Sequence, residues 1–393
     1  MPVLSTRITS INGGGSDGWD VFNRARAMIA AGIDVTELTI GEHDIRTDPA
    51  ILNAMHASAL NGHTGYAAVP GTNALRDAVA TRLTRQTGVA TNRDNVLITP
   101  GGQAALFAAH VAACSAGDTA LFVDPFYATY PGSIRAAGAI PQAITTRARD
   151  RFLPQRDALA LAAIGAASLL INTPNNPTGT VYPRETLDDI ATVVRDHDLW
   201  LISDEVYDTQ VWDGSHISPR ALPRMAERTL VIGSMSKSHA MTGSRLGWIV
   251  APEAVITPLI DLATNTTYGV PGYIQDAALF ALEQGSTLEE AVAAPFRRRR
   301  MLAQQILGAQ SVVGQIPSQG AMYVMLDIRA TALSGESFAN ALLDTHHIAV
   351  MPGESFGASA AGHVRVALTV ADDALAQALG TLCEFAAERA TAR

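Results

Sequence analysis

The chain has 393 residues, 48% of them apolar and 17% charged. That is enough to bury a sizeable core, and it excludes both a disordered chain and a disulfide-stapled miniprotein. The net charge is −9, and the only basic block is Arg297 to Arg300, so a nucleic-acid partner is not expected.

At about 100 to 200 residues per domain, the length predicts two domains, or one large one with an elaboration. Only Cys114 and Cys383 occur, too far apart in sequence to suggest a disulfide framework or a paired-cysteine zinc site. No basic leader followed by an apolar segment opens the chain, and no run of about 18 apolar residues occurs, so a cytoplasmic protein that does not span a membrane is expected.

Near the N-terminus Gly13-x-Gly15-x-x-Gly18 matches the dinucleotide fingerprint and Gly14-x-Ser16-x-Gly18 the nucleophile elbow. Either pattern has meaning only between a buried strand and a packed helix. Ser5 to Ile11 is too polar for a central strand, so both matches read as incidental.

Between Asp94 and Val250 short apolar runs alternate with helical patterns. Strands are predicted at Val96–Thr99, Ala120–Val123, Ser168–Ile171, Leu199–Ile202, Leu230–Gly233 and Leu246–Val250. Runs uninterrupted by polar residues suit a mainly parallel sheet covered on both faces. Helices are predicted at Ala104–Cys114 and Pro183–His197, which makes this part a doubly wound α/β layer. From about Glu283 the pattern changes to a long helix through Leu307, strands at Ala321–Ile328 and His363–Thr369, and a closing Ala-rich helix. A smaller α+β domain is expected there. The arginines at 297 to 300 spread around a helix rather than along one face, and read as a solvated, salt-bridged helix rather than an anion site. His346-His347 lack partners at metal spacing, and no metal site is expected.

The 28 basic residues resolve into 27 arginines and one lysine, Lys237. Arginine stays protonated, whereas a lysine amine in a tuned site loses its proton and attacks a carbonyl. Lys237 ends Ser234-Met-Ser-Lys237, directly after a predicted strand, and Arg245 follows eight residues later. Hydroxyls and a guanidinium beside a reactive amine suggest a bound phosphate. Asp204-Glu-Val-Tyr207 follows another strand, where the carboxylate can pair with a cationic ring nitrogen and the tyrosine with a phenolate oxygen. Asn172-Thr-Pro-Asn-Asn-Pro-Thr-Gly179 follows a third, and Thr99-Pro-Gly-Gly-Gln103 opens a helix whose free N–H groups can cradle phosphate. Open parallel sheets place ligands at these carboxyl ends. Partners for a phosphate, a pyridinium, a phenolate and an imine together describe pyridoxal phosphate.

The chain resembles the class I/II aminotransferases of the fold-type I pyridoxal phosphate enzymes, and is similar to the bacterial aspartate aminotransferase subgroup over nearly its whole length. The resemblance rests on Gly41-Glu42, Gly65-Tyr66 with Gly71 and Leu75-Arg76, Gly101-Gly102, Asn175-Asn-Pro-Thr-Gly179, Asp204-Glu-Val-Tyr207, Ser234-Met-Ser-Lys237 with Arg245, and His363-Val-Arg365. It implies a large domain at 41–289 with a mostly parallel seven-stranded sheet flanked by helices. A smaller α+β domain would be formed from 1–40 and 290–393.

It further implies ping-pong transamination between an amino acid and a 2-oxo acid through a Lys237 Schiff base, in a homodimer. A β-lyase or another pyridoxal phosphate amino-acid enzyme of the same fold is the alternative. Lys237, Asp204 and Tyr207 would be catalytic. Asn176, Tyr127, Gly102, Gln103, Ser234 and Arg245 would bind cofactor, with Tyr66 supplied by the second subunit. Arg365, Asn176 and Gly41 would bind substrate. Two departures stand out. His43 occupies a position where the family often has proline, and Gln103 one where aspartate-specific relatives carry lysine, so aspartate is not expected as the preferred donor.

Overall fold

The computed structural model describes residues 2–14 and 18–391. Seven strands form the larger sheet, in the order Val96–Thr99, Gly247–Val250, Thr229–Ser234, Trp200–Asp204, Ala166–Asn172, Thr119–Asp124 and Ile140–Thr145. Only Gly247–Val250 runs antiparallel to its neighbours; the other pairings are parallel. Both faces are covered, which is why the strands read as unbroken apolar runs. Leu170, Ile202 and Ile232 pack toward the helix Gly102–Ala113, while Leu169, Ile171 and Leu201 pack toward the helix Arg184–Asp196. That second helix buries Leu187, Ile190, Ala191 and Val194, the i, i+3, i+4, i+7 stripe of an amphipathic helix.

The predicted strands and helices are present to within two residues at each end, except that the long helix expected from about Glu283 starts at Ser286. Ile140–Thr145 is a strand that no local pattern predicts. It pairs on one side only, is mostly solvent-facing and carries Pro141, a residue tolerated at a sheet edge, so it lacks the apolar run that marks the central strands.

A second sheet of five strands is ordered Thr36–Leu38, Ile348–Pro352, His363–Ala367, Tyr323–Asp327 and Gly314–Gln315. Thr36–Leu38 pairs in parallel with Ile348–Val350, so the two ends of the chain share one sheet. Its core includes Phe296, Phe338 and Phe385 from the helices Ser286–Gly308, Gly335–His346 and Asp372–Thr391.

Three of the four consecutive arginines are salt-bridged as expected, but not all are solvated. Arg297 pairs with Glu290 and Arg298 with Asp372, both exposed. Arg299 is buried between Asp44 and Asp372, and Arg300 donates to the Ser318 carbonyl. His347 adopts the left-handed conformation that ends its helix, and its carbonyl accepts from Thr36 N–H. Of the two N-terminal glycine patterns, Gly15 and Ser16 lie outside the described residues. Thr6–Thr9 is a short helix rather than a strand, so neither motif has its structural context. No described helix is long and apolar enough to cross a membrane.

Candidate active site

Asn172, Asp204 and Ser234 are the last residues of three adjacent strands. Together with the start of the helix Gly102–Ala113 they open onto a cavity of about 290 Å³. Gly41, Gln103, Tyr127, Asn176, Tyr207, Lys237, Arg245 and Arg365 line the same cavity. Segments more than 300 residues apart in sequence are thus brought to one point at the carboxyl edge of the sheet. Tyr66 is the exception: its side chain is exposed and packs edge-on against Tyr268, with ring centroids 5.0 Å apart.

At one end stands Asp204. Burial pushes its carboxyl up to about 6, opposed by hydrogen bonds from the Tyr130 hydroxyl and the Val206 N–H. Tyr130 donates to Oδ2 at 2.6 Å, and its own hydroxyl is held well above the usual range, first by burial and then by Asp204. The carboxylate therefore sits where a cationic partner would stabilise its ionised form. Beside it, the Tyr207 and Tyr323 hydroxyls lie 3.0 Å apart, and burial keeps Tyr207 protonated.

At the opposite end the helix Gly102–Ala113 starts without a side-chain cap, leaving its first N–H groups free. Gly101 holds φ +82°, and a Cβ there would stand 2.5 Å from Arg245 Nη2. At Gly247 a Cβ would reach to 2.8 Å from the Gly102 nitrogen. Only glycines let the guanidinium and the antiparallel strand approach the helix start this closely. Ser234 and Ser236 add hydroxyls to the lining. An uncapped helix start, a guanidinium and hydroxyls make an anion site.

Between these ends lies Lys237, whose Nζ donates to the Gly41 carbonyl. Its pKa is lowered mainly by burial; nearby Arg365 and Arg245 add to the lowering, while Tyr323 and Glu42 oppose it. On the wall formed by the smaller sheet, Arg365 is buried, donates to Asn176 Oδ1 at 2.8 Å and to the Thr39 carbonyl, and lies 4.3 Å from the centroid of Tyr323 and 4.4 Å from that of Phe356. Its Nε makes no hydrogen bond among the described residues. A fixed guanidinium facing a cavity suits a carboxylate.

A profile of the family described as aminotransferase class I and II matches residues 33–382. The chain belongs to this family. It is 40% identical over 379 residues to the arginine–pyruvate transaminase of Pseudomonas aeruginosa, covering 96% of each chain. Over 361 residues it is 33% identical to the aspartate/prephenate aminotransferase of Thermus thermophilus, 91% of this chain and 92% of that one. The solved Thermus thermophilus aspartate aminotransferase with maleate superposes at TM-score 0.91 with 31% identity, covering 98% of this chain and 100% of that one. The chain is thus an aminotransferase that moves an amino group between an amino acid and a 2-oxo acid, with pyridoxal phosphate as cofactor. The cavity fits that group: a buried carboxylate, a lysine amine and an anion cradle follow one another across it.

Several residues of this aminotransferase site have no signal in the sequence alone, notably Tyr130, Tyr323 and Trp19. Tyr323 lies on a strand whose neighbour carries Arg365, through the pairing Met325 with Arg365, and no local pattern announces that register. Tyr323 also accounts for Gly41, because a Cβ at 41 would overlap the Tyr323 hydroxyl. Gly41→Ala should displace that hydroxyl and cost about 1–3 kcal/mol of stability, as overpacking does. Denaturant unfolding beside the steady-state rate checks this, and unchanged values of both would contradict the stated contact.

Proposed function

We propose that Lys237 carries the cofactor and acts as the acid–base group of the transamination, with Asp204 holding the ring nitrogen and Tyr207 and Asn176 the ring oxygen. Tyr127 lies against the ring face. Gly102, Gln103, Ser234 and Arg245 hold the phosphate, while Arg365, with Asn176 and the Gly41 backbone, holds the substrate α-carboxylate. Bound there, pyridoxal phosphate supplies an electron-withdrawing ring conjugated to the substrate α-carbon. Asp204 keeps the ring nitrogen positively charged. Arg365 fixes the carboxylate and hence the orientation of the α-C–H bond. Set free when the substrate amine takes its place, Lys237 would hold the α-proton at Nζ and return it, and the same residues would serve the reverse half-reaction with a second 2-oxo acid. The observation that carries this reading is the chain's single lysine, half-buried in the wall of one cavity with the buried Asp204 and Arg365. Borohydride reduction followed by peptide mapping should place the cofactor on Lys237; attachment elsewhere would overturn it.

The donor in this reading has a neutral or cationic side chain. Among the described lining residues the cations are Lys237, Arg245 and Arg365, each already engaged, so none remains for a second carboxylate. Gln103 is neutral and accepts from the Thr129 hydroxyl at 3.1 Å, and the lining adds an acid, Glu42. The kinship to an arginine–pyruvate transaminase supports the same direction. A panel of amino acids scored by the absorbance change of the bound cofactor tests it: arginine should outrun aspartate. In Gln103→Lys, kcat/KM for aspartate should rise about tenfold or more, the worth of one charged hydrogen bond, and no gain would remove Gln103 from the specificity argument.

The active enzyme in this reading is a homodimer in which Tyr66 of each chain completes the other's phosphate site. Exposure of Tyr66 away from its own cavity supports this. Sedimentation checks the assembly. The division into 41–289 and 1–40 with 290–393 belongs to the same reading and is supported by the two separate sheets. A cytoplasmic location is supported by two free cysteines.

A further inference from the structure

We propose that His43 is a positioning residue for Lys237, pinning the base of the lysine side chain while the neighbouring Gly41 carbonyl receives its tip. The inference rests on Lys237 being the cofactor lysine. Residues 41–47 lie along 237–242 and are tied to them at four points. The Gly41 carbonyl accepts from Lys237 Nζ. Glu42 Oε1 accepts from the Thr242 hydroxyl at 3.2 Å. His43 Nε2 lies 3.1 Å from the Lys237 carbonyl oxygen, and the Thr47 hydroxyl donates to the Ala240 carbonyl at 2.7 Å. The next residue, Asp44, is gripped by both terminal nitrogens of the buried Arg299, at 2.8 and 2.6 Å.

The Lys237 carbonyl belongs to a helix of only four residues, Met235–Ser238, so it needs partners from outside the helix. It has two: Gln210 Nε2 at 3.0 Å and His43. A carbonyl oxygen has two lone pairs and both are used. The His43 ring is neutral, held to about 3 by burial first and then by the charge of Lys237, so the nitrogen facing the acceptor carries the single ring proton. Nδ1 is buried without a hydrogen-bond partner among the described residues. Against Phe296, whose ring centroid is 5.3 Å away, an apolar side chain would fill the space without that unpaired atom. What the imidazole adds is the donor to Lys237. A proline at this position would have no side-chain donor at all.

A lysine that leaves the cofactor to carry a proton has four rotatable carbons between backbone and amine, and misplacement by about 1 Å is costly in rate. Anchoring its carbonyl from two sides confines the arc the amine sweeps. The test compares His43→Leu, which keeps volume but removes the donor, with His43→Gln, whose amide nitrogen extends about as far from the backbone as Nε2. In single turnovers of the holoenzyme with α-protio and α-deutero donor amino acid, His43→Leu should slow the proton transfer about 5- to 20-fold and enlarge the isotope effect, with KM changed less than about twofold. His43→Gln should recover to within about threefold. Unaltered proton transfer in His43→Leu, or equal loss in both variants, overturns the proposal. If His43→Leu does not fold, ¹⁵N NMR of the wild-type imidazole decides: a proton on Nε2 supports the assignment, and an Nε2 without one refutes it. Borohydride mapping separates the two layers. Trapping away from Lys237 refutes the lysine's role, whereas trapping at Lys237 leaves the positioning role to be decided by the His43 variants.

Discussion

Lys237→Ala should lower kcat/KM for the half-reaction by at least about 10³-fold, because in the proposed arrangement one side chain supplies two functions. Positioned proton transfer alone is worth about 10² to 10⁴, and covalent attachment holds the cofactor in register with Asp204 and the anion cradle. Lys237→Arg should fare no better, since a guanidinium stays protonated and does not form an imine. Folding is separable from chemistry here. Burial lowers the lysine's pKa below its unfolded value, so the buried amine costs stability as pH falls below that unfolded value. The cofactor-free alanine variant should therefore be no less stable than wild type at pH 7, leaving aside the small void. A thermal midpoint held within a few degrees alongside a lost rate would locate the defect in the chemistry. Turnover near wild type in either variant would refute the role of Lys237.

Much of this site is written locally, because it hangs on the ends of buried parallel strands. Asn172, the pair Ser203-Asp204, and Ser234 each end a mostly apolar strand with polar residues, and a run that stops this way marks the carboxyl edge of a sheet without knowledge of strand order. The single lysine among arginines singles out the amine by counting alone. What the local pattern lacks is everything fixed by contact between distant segments. Tyr130 reaches Asp204 across 74 positions and Tyr207 meets Tyr323 across 116; neither follows from periodicity. His43 reads as a departure from the family, yet its contact with Lys237 spans 194 positions and emerges only when the segment after Thr36–Leu38 is laid beside the Lys237 loop. The arginine run shows the limit of reading charge as surface, since Arg299 is buried by two aspartates that sequence distance conceals.

Asp204→Asn should stabilise the cofactor-free protein while disabling the enzyme. The carboxyl is buried and its pKa stands at about 6 against an ordinary 3.8. In the cofactor-free state the native protein therefore holds a proton that the unfolded chain releases between about pH 4 and 6. Stability falls as pH rises through that window and levels off above it. The rise from 3.8 to about 6 corresponds to about 3 kcal/mol. Asparagine keeps the shape, removes the ionisation and can still pair with the Tyr130 hydroxyl, so its advantage should open between pH 4 and 6 and reach up to about 3 kcal/mol at pH 7. With cofactor bound as proposed the order should reverse, because the carboxylate would then face a ring cation and the amide cannot hold that charge. Turnover should fall about 10² to 10³-fold, the scale set by losing one preorganised electrostatic partner. Denaturant melts of wild type and variant across pH 4 to 8, with and without cofactor, measure both signs in one experiment. A variant that is less stable without cofactor at pH 7, or that turns over like wild type, would show that this carboxylate is neither the buried charge nor the ring's partner.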